Sequence, residues 1–319
     1  MLPCPECRLI RHQQGAVLLV LAVIMSMIAL GWLYGHMASR QESGAVTARA
    51  LAMARSALIG RALSDASHPG SLPCPDTDND GVAQLLSGAQ CPGYIGRLPW
   101  RTLGLNDIRD GNGERLWYVL SSDARDAQSQ IAVNSLATAG MLQMNTSAHL
   151  VAVLFSPGVA IVPQQRGTSA QQNTVGNYLE GDNANGDTVY VSQAVADTAF
   201  NDIVLAISSA DVFRKVERLV LQQIAKNLAP PYLYAADPYA TAEQLGVQQI
   251  GRLAGFIPYK TLGFSLADPL GSNGWFNDLT SGSTSPYIVT AAQDHVQINL
   301  KYCSGSMDSS SAMMVIHCV

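Results

Sequence analysis

The chain has 319 residues, of which 48% are hydrophobic and 13% charged, so it can bury one or two cores and is too apolar to be disordered. Its formal net charge is -5, and the body beyond residue 40 lacks the Lys/Arg stripe that nucleic-acid binding requires. Intrinsic disorder and DNA or RNA binding are therefore excluded.

An apolar segment near the N-terminus predicts a membrane anchor. Residues 16–34 read AVLLVLAVIMSMIALGWLY and carry no charge, and a helix of that length spans roughly 28 Å, close to a bilayer core. Arg8 and Arg11 precede it, so the positive-inside rule keeps residues 1–15 in the cytoplasm and exports the rest. We expect a single pass through a bacterial inner membrane, with the body in the oxidising periplasm.

The residues before this segment resemble a known leader. RHQQG followed by AVLLVLAVIMSM is similar to the class III leader of type IV pilins and type II secretion pseudopilins. The resemblance implies that prepilin peptidase cuts between Gly15 and Ala16, so that residues 1–15 form a leader peptide. A generic signal anchor without cleavage is the alternative.

The match departs from the family at two positions. The family usually carries Phe at the first mature position and Glu at the fifth, where this chain has Ala16 and Val20. That Glu pairs with the N-terminal ammonium of a neighbouring subunit, and an unpaired charge in hydrocarbon is costly. The resemblance therefore implies a minor subunit at a filament tip or in an initiation complex, with other pilin or pseudopilin subunits as partners.

Helix-forming residues continue beyond the apolar segment. They predict one helix from Ala16 to about Leu63 that ends by His68-Pro69-Gly70. We assign residues 16–66 to this transmembrane and spine helix. The pilin resemblance implies that its second half packs on a head.

An acidic stretch, LPCPDTDNDG, follows the spine. Asp76, Asp78, Asp80 and Gly81 match the first half of an EF-hand-type calcium loop. The twelfth position is Ser87 instead of Glu, so only the Val82 carbonyl and the Gln84 amide remain to complete a calcium shell. The sequence leaves two hypotheses, a calcium site and a solvated turn.

The six cysteines form three pairs that are close in sequence. Disulfides are expected for Cys74 with Cys91 and for Cys303 with Cys318 if the body is exported, although proximity alone does not fix the connectivity. The second pair is similar to the disulfide-closed C-terminal region of many pilins. Cys4 and Cys7 have the spacing of half a zinc site, but no second pair accompanies them, and we favour an incidental origin.

The body contains what looks like an internal repeat, GRLPWRTLGL at 96–105 and GFIPYKTLGF at 255–264. A helix over Ser209–Leu228, capped by Ser209 or Asp211, is predicted before the second copy. Its apolar face is Phe213, Val216, Leu219, Val220, Ile224 and Leu228. Strands are predicted in 148–162, interrupted at Pro157, and in 200–207.

These elements predict an α+β fold with a long membrane-spanning helix and a strand-rich head. The head consists of two tandem units, 67–207 and 208–319, unless the repeated motif is a chance recurrence within one domain.

Several catalytic motifs are missing from the sequence. It contains no G-x-S-x-G, no H-E-x-x-H and no phosphate-binding loop, so we predict that the chain is not an enzyme. The function expected is that of a minor pilin or pseudopilin acting by assembly and binding. The alternative is a periplasmic calcium-dependent binding or adhesion domain held by a signal anchor.

Overall fold

The computed structural model describes residues 9–126, 132–193, 199–227, 247–249, 252–256, 269–275, 288–292, 295–308 and 313–319. Over these ranges the chain is α+β, with one long N-terminal helix followed by a body built around two β-sheets. The predicted fold class is confirmed at this level.

Helix α1 runs from Leu9 to Ser64, 56 residues without a break. An 18-residue window within it has a mean hydropathy of 2.5, and none of that window is buried. Large apolar side chains such as Leu18, Trp32 and Tyr34 are 68%, 72% and 76% exposed. Within the described part of the chain, this one helix is long and apolar enough to cross a membrane.

The second half of α1 belongs to the protein core. Its buried side chains recur every three or four residues and so form one face: Thr47, Ala50, Leu51, Ala54, Leu58 and Ala62. The helix ends where predicted, because the Asp65 carboxylate accepts hydrogen bonds from the backbone N–H groups of Ser67 and His68. The N–H of Gly70, at a φ of +104°, then donates to the Ala62 carbonyl at 2.8 Å.

The first sheet has six strands over the described residues: β1 (Ile95–Arg97), β2 (Trp117–Leu120), β3 (Leu142–Met144), β4 (Ser147–Ser156), β5 (Val189–Tyr190) and β6 (Ile203–Ser208). Strand β4 is central and pairs antiparallel with β2, β3 and β6. It stops one residue before Pro157, which cannot donate to a ladder. Both predicted strands, 148–162 and 200–207, are therefore present but shorter.

Helix α3 (Ser209–Asn227) follows β6 directly, after a short helix α2 (Ser169–Gln172) in the polar loop. The N-cap is Ser208, one residue before the predicted Ser209. Its Oγ accepts from the Asp211 N–H, and the Asp211 carboxylate accepts from the Ser208 N–H. An ion pair of 2.8 Å between Arg55 and Asp211 joins α1 to α3.

The buried face of α3 is wider than the predicted one, since it also includes Val212, and one predicted member is exposed. Phe213, Val216, Val220 and Ile224 are buried as expected, but Leu219 is 44% exposed and the fully buried Leu221 takes its place. The reason is that α3 is covered on two sides, by the first sheet and α1 and by the second sheet, so its buried stripe is wider and displaced from the predicted one. Leu228 lies outside the described residues.

The second sheet is an antiparallel meander over the described residues: β7 (Val247–Gln249), β8 (Arg252–Phe256), β9 (Ile288–Ala292), β10 (His295–Asn299), β11 (Cys303–Asp308) and β12 (Val315–Cys318). A short helix α4 (Pro269–Ser272) lies between β8 and β9. Ile298 and Met307 join Leu58, Phe213 and Leu154 in one buried cluster. Both sheets thus share a core with α1 and α3.

The predicted boundary near residue 208 falls between the two sheets and stays a prediction. The first copy of the repeated motif begins in β1 and the second in β8, at Gly255. Residues 257–264 of the second copy lie outside the described residues.

Candidate functional site

The acidic loop is organised around one buried carboxylate. Asp76 has no exposed surface. Its Oδ1 accepts hydrogen bonds from the N–H groups of Asp78 and Asn79, at 3.1 and 2.6 Å, and its Oδ2 accepts from Gly81 at 2.7 Å. The backbone of the next five residues therefore wraps around this side chain.

The predicted ligand residues do converge. Carboxylate oxygens of Asp76, Asp78 and Asp80 lie within 4.8 Å of one another. Burial raises the pKa of Asp76 and the adjacent Asp78 carboxylate raises it further, against hydrogen bonds from Gly81 and Asn79. Carboxylates this close repel one another, and a bound cation would remove the repulsion. A set of oxygen donors with negative charge fits a hard cation.

The loop agrees with the EF-hand pattern at its sixth position and departs from it at the twelfth. Gly81 has a φ of +88°, the left-handed turn for which that pattern reserves glycine. The Gln84 side chain lies near enough to the Asp78 carboxylate to help lower its pKa, so one of the two proposed completing residues lies beside the cluster. Ser87 instead pairs its N–H with the Gln90 carbonyl at 2.9 Å, in a separate turn.

The first copy of the repeated motif holds this loop in place. Gly96 lies so close to the Asp76 carbonyl that an added Cβ would be 2.6 Å from the oxygen. The Trp100 ring covers Gly81, Arg101 N–H donates to the Gly81 carbonyl at 2.8 Å, and Ala83 N–H donates to Thr102 Oγ1 at 2.8 Å. The motif therefore acts as a clamp for the loop.

Arg115 is a site residue that sequence reasoning missed. Its Nη1 donates to the Asn79 carbonyl and Oδ1 at 2.7 and 2.8 Å, while Nε and Nη2 bind the Asp107 carboxylate at 2.8 and 3.1 Å. The hydrogen bonds from Arg115 hold the pKa of Asp107 below its usual range. Arg115 is 36 positions from Asn79, so no local pattern could have indicated the contact.

Both predicted disulfides of the body are present. Cys74 and Cys91, 17 positions apart with Cα atoms at 5.6 Å, bracket the acidic loop. Cys303 and Cys318 lie directly opposite each other on β11 and β12. The first bridge limits how far the two flanks of the loop can separate.

The predicted processing site lies at the other end of the molecule. Gly15 and Ala16 are inside α1, near its start, and cleavage between them stays a prediction. Cys4 and Cys7 lie outside the described residues.

No protein-family model, no curated protein and no solved structure matches this chain.

Proposed function

We propose that this chain is a minor pilin or pseudopilin of a type IV pilus or type II secretion filament. It would be anchored in a bacterial inner membrane and would act at the filament tip or in its initiation complex. One observation carries the proposal. The helix with the bare apolar first half continues without a break into the core of the head.

The length of the uncovered part of α1 favours a subunit over a simple anchor. From Val17 to Glu42 the side chains are exposed, and the helix rises roughly 38 Å, about 8 Å more than a hydrocarbon core needs. A plain anchor requires only the spanning segment and a linker to its domain. A filament subunit uses a long rigid helix, because neighbouring subunits pack along it.

The residue at the fifth mature position supports an end position in the filament. Val20 offers no carboxylate to neutralise the ammonium of a neighbouring subunit. A subunit with Val20 can still present its own ammonium to a neighbour that carries the Glu. Such a subunit therefore suits the filament end, where no neighbouring ammonium needs a carboxylate from residue 20.

Processing by prepilin peptidase tests the proposal. The full chain is co-expressed with and without the peptidase, and the mature N-terminus is sequenced. We expect a new N-terminus at Ala16 only with the peptidase, and none in Gly15→Val. The matched control is Gly35→Val in the same helix, which should be cut normally. An intact bond between residues 15 and 16 in the parent chain would refute the proposal.

Calcium binding by the acidic loop is the second part of the proposal. The three converging carboxylates support a hard divalent cation, and the EF-hand-like first half favours calcium over magnesium because it offers flexible carboxylate and carbonyl oxygens. Bound calcium would order the clamped loop on the surface of the head.

A melting experiment tests the calcium site. At a calcium concentration of about 100 times Kd, binding should add roughly 2.7 kcal/mol of stability. Tm is compared in calcium, in magnesium and in chelator, for the parent, for Asp78→Ala and for the exposed control Asp182→Ala. The calcium shift should vanish only in Asp78→Ala. No shift in the parent would remove the calcium proposal and leave the solvated turn.

The alternative function is a calcium-dependent periplasmic binding or adhesion domain on an uncleaved signal anchor. The acidic loop favours it, since such a loop can act on the head without any filament. This alternative predicts an intact bond between residues 15 and 16 together with a calcium-dependent Tm. Because both functions include calcium binding, the cleavage measurement is the one that separates them.

A further inference from the structure

A polar cavity of about 340 Å³ lies beside the acidic loop on the first sheet. Asn79 of the loop forms part of its wall, and the remaining wall is dominated by four arginines, Arg97, Arg109, Arg115 and Arg166, with Tyr178 and Glu114. The volume is within the range of small-ligand sites.

Two acidic side chains make direct ion pairs with arginines of this cavity. Asp107 binds both Arg115 and Arg109, at 2.8 Å in each case, and Glu114 Oε1 is 3.1 Å from Arg166 Nη1. These two carboxylates pair with three of the four cavity arginines. Arg97 makes no ion pair with any acidic group in the described part of the chain. Arg97 is therefore the cavity arginine that lacks an acidic partner.

Arg97 is the least exposed of the four, at 3%. Nη1 and Nη2 each donate to a backbone carbonyl at 3.0 Å, on Arg115 and Gln172, while Nε has no hydrogen-bond partner among the described residues. Burial lowers the pKa of Arg97, with Tyr178 and Glu114 opposing the shift. A buried guanidinium without a counter-charge is costly unless something supplies that charge.

The arginines are already held in position. The Arg97 guanidinium lies 3.9 Å from the Tyr178 ring centre and 4.4 Å from that of Trp117. The Arg166 guanidinium lies 4.2 Å from the same Tyr178 ring centre. Arg166 Nε and Nη1 also donate to the carbonyls of Asn177 and Gly158. A ligand would lose little affinity to side-chain ordering.

We propose that this cavity binds a small ligand bearing a phosphate or carboxylate group. Both groups present planar or forked pairs of oxygens that match guanidinium donors. The proposal does not depend on the filament function or on calcium.

Calorimetric titration of the full chain in detergent tests the proposal. The probes are inorganic phosphate and succinate, added at constant ionic strength in buffer without divalent cations, with sodium chloride as the blank. At least one probe should give a saturable heat with 1:1 stoichiometry. Phosphate alone or succinate alone would each support the proposal and identify the group preferred.

Variants locate the binding. Two substitutions, Arg109→Gln and Arg166→Gln, should each weaken binding about tenfold, as expected for losing a charge-assisted hydrogen bond. The Arg109 side chain is 45% exposed, so the Arg109→Gln protein should fold normally. The matched control is Arg101→Gln, an exposed arginine nearby that does not line the cavity, and it should bind as the parent does. No saturable heat with either probe, or equal affinity in all three variants, would overturn the proposal.

Discussion

Glu180 and Asp202 form a buried carboxyl pair at the edge of the first sheet. They are 6% and 4% exposed. Glu180 Oε2 accepts from the Asp202 N–H at 3.2 Å, and Asp202 Oδ2 accepts from the Glu180 N–H at 3.1 Å and from Asn183 Nδ2 at 2.9 Å. Burial, together with the Glu180 carboxylate and against the Asn183 hydrogen bond, raises the pKa of Asp202 to about 7.

This raised pKa predicts a pH-dependent loss of stability. Between about pH 4 and pH 7 the folded chain holds a proton on Asp202 that the unfolded chain has released, so stability falls as pH rises through this window. Asp202→Asn keeps an acceptor and removes the charge. At pH 8 the variant should be more stable than the parent by on the order of 2 kcal/mol, with the advantage gone at pH 4.5.

Denaturant unfolding at the two pH values measures this difference. Asp182→Asn is the matched control, because Asp182 is exposed on the same segment and should change stability little at either pH. Equal stability of Asp202→Asn and the parent at pH 8 would contradict the assigned ionisation.

Gly81 is expected to be indispensable to the acidic loop. An added Cβ would lie 2.5 Å from the Trp100 ring, and φ is +88°. Gly88 has a φ of +63° but open space around it. Gly88→Ala therefore measures only the cost of placing alanine in a left-handed backbone conformation, about 1–2 kcal/mol. Gly81→Ala should lower the free energy of unfolding by more than Gly88→Ala, and should also lose any calcium-induced rise in Tm. Equal costs for the two variants would argue against the clamp.

At the scale of elements, α3 is tied to the second sheet by one buried carboxylate. Glu217 has no exposed surface. It accepts hydrogen bonds from the N–H groups of Lys301, Tyr302 and Cys303 at 3.1, 2.7 and 2.6 Å. These groups form the turn that leads into β11. Burial raises the pKa of Glu217 although these hydrogen bonds oppose the rise.

Glu217→Gln should destabilise the protein by about 1–3 kcal/mol. Glutamine has one acceptor oxygen in place of two. At least one buried backbone N–H would therefore face the glutamine NH₂ group and lose its hydrogen-bond acceptor. The midpoint of thermal unfolding measures the effect. Glu42→Gln, on the exposed part of α1, is the control and should leave the midpoint unchanged. If both variants have the same unfolding midpoint as the parent, Glu217 does not hold the second sheet to α3.

The elements that sequence could predict are those with a strong local signal. The period of apolar residues predicted α1 and most of α3, and Pro157 marked the end of β4. Leu219 was misassigned because its exposure is decided by which sides of α3 the two sheets cover, which no local pattern reports. Ser208 was missed as a cap because Ser209 beside it is an equally good candidate by residue type.

At the scale of the whole molecule, residues distant in sequence decide the sites. The spacing of Asp76, Asp78 and Asp80 was enough to predict their convergence. The clamp by residues 96–102 and the contact of Arg115 with Asn79 were not predictable, because they depend on how the chain returns to the loop. The same is true of the arginine cavity, whose members come from four separate segments.

The second half of α1 and α3 share one buried core with both sheets. The proposed function rests on this continuity between the apolar helix and the body.

The most direct test is the composition of isolated filaments from the native host. Filaments are sheared, purified and quantified by mass spectrometry for this chain and for the major subunit. The proposed function predicts that the processed chain, beginning at Ala16, is present in a small copy number per filament that does not increase with filament length. Absence of the chain from the filaments, with the full-length form retained in the membrane, would contradict it.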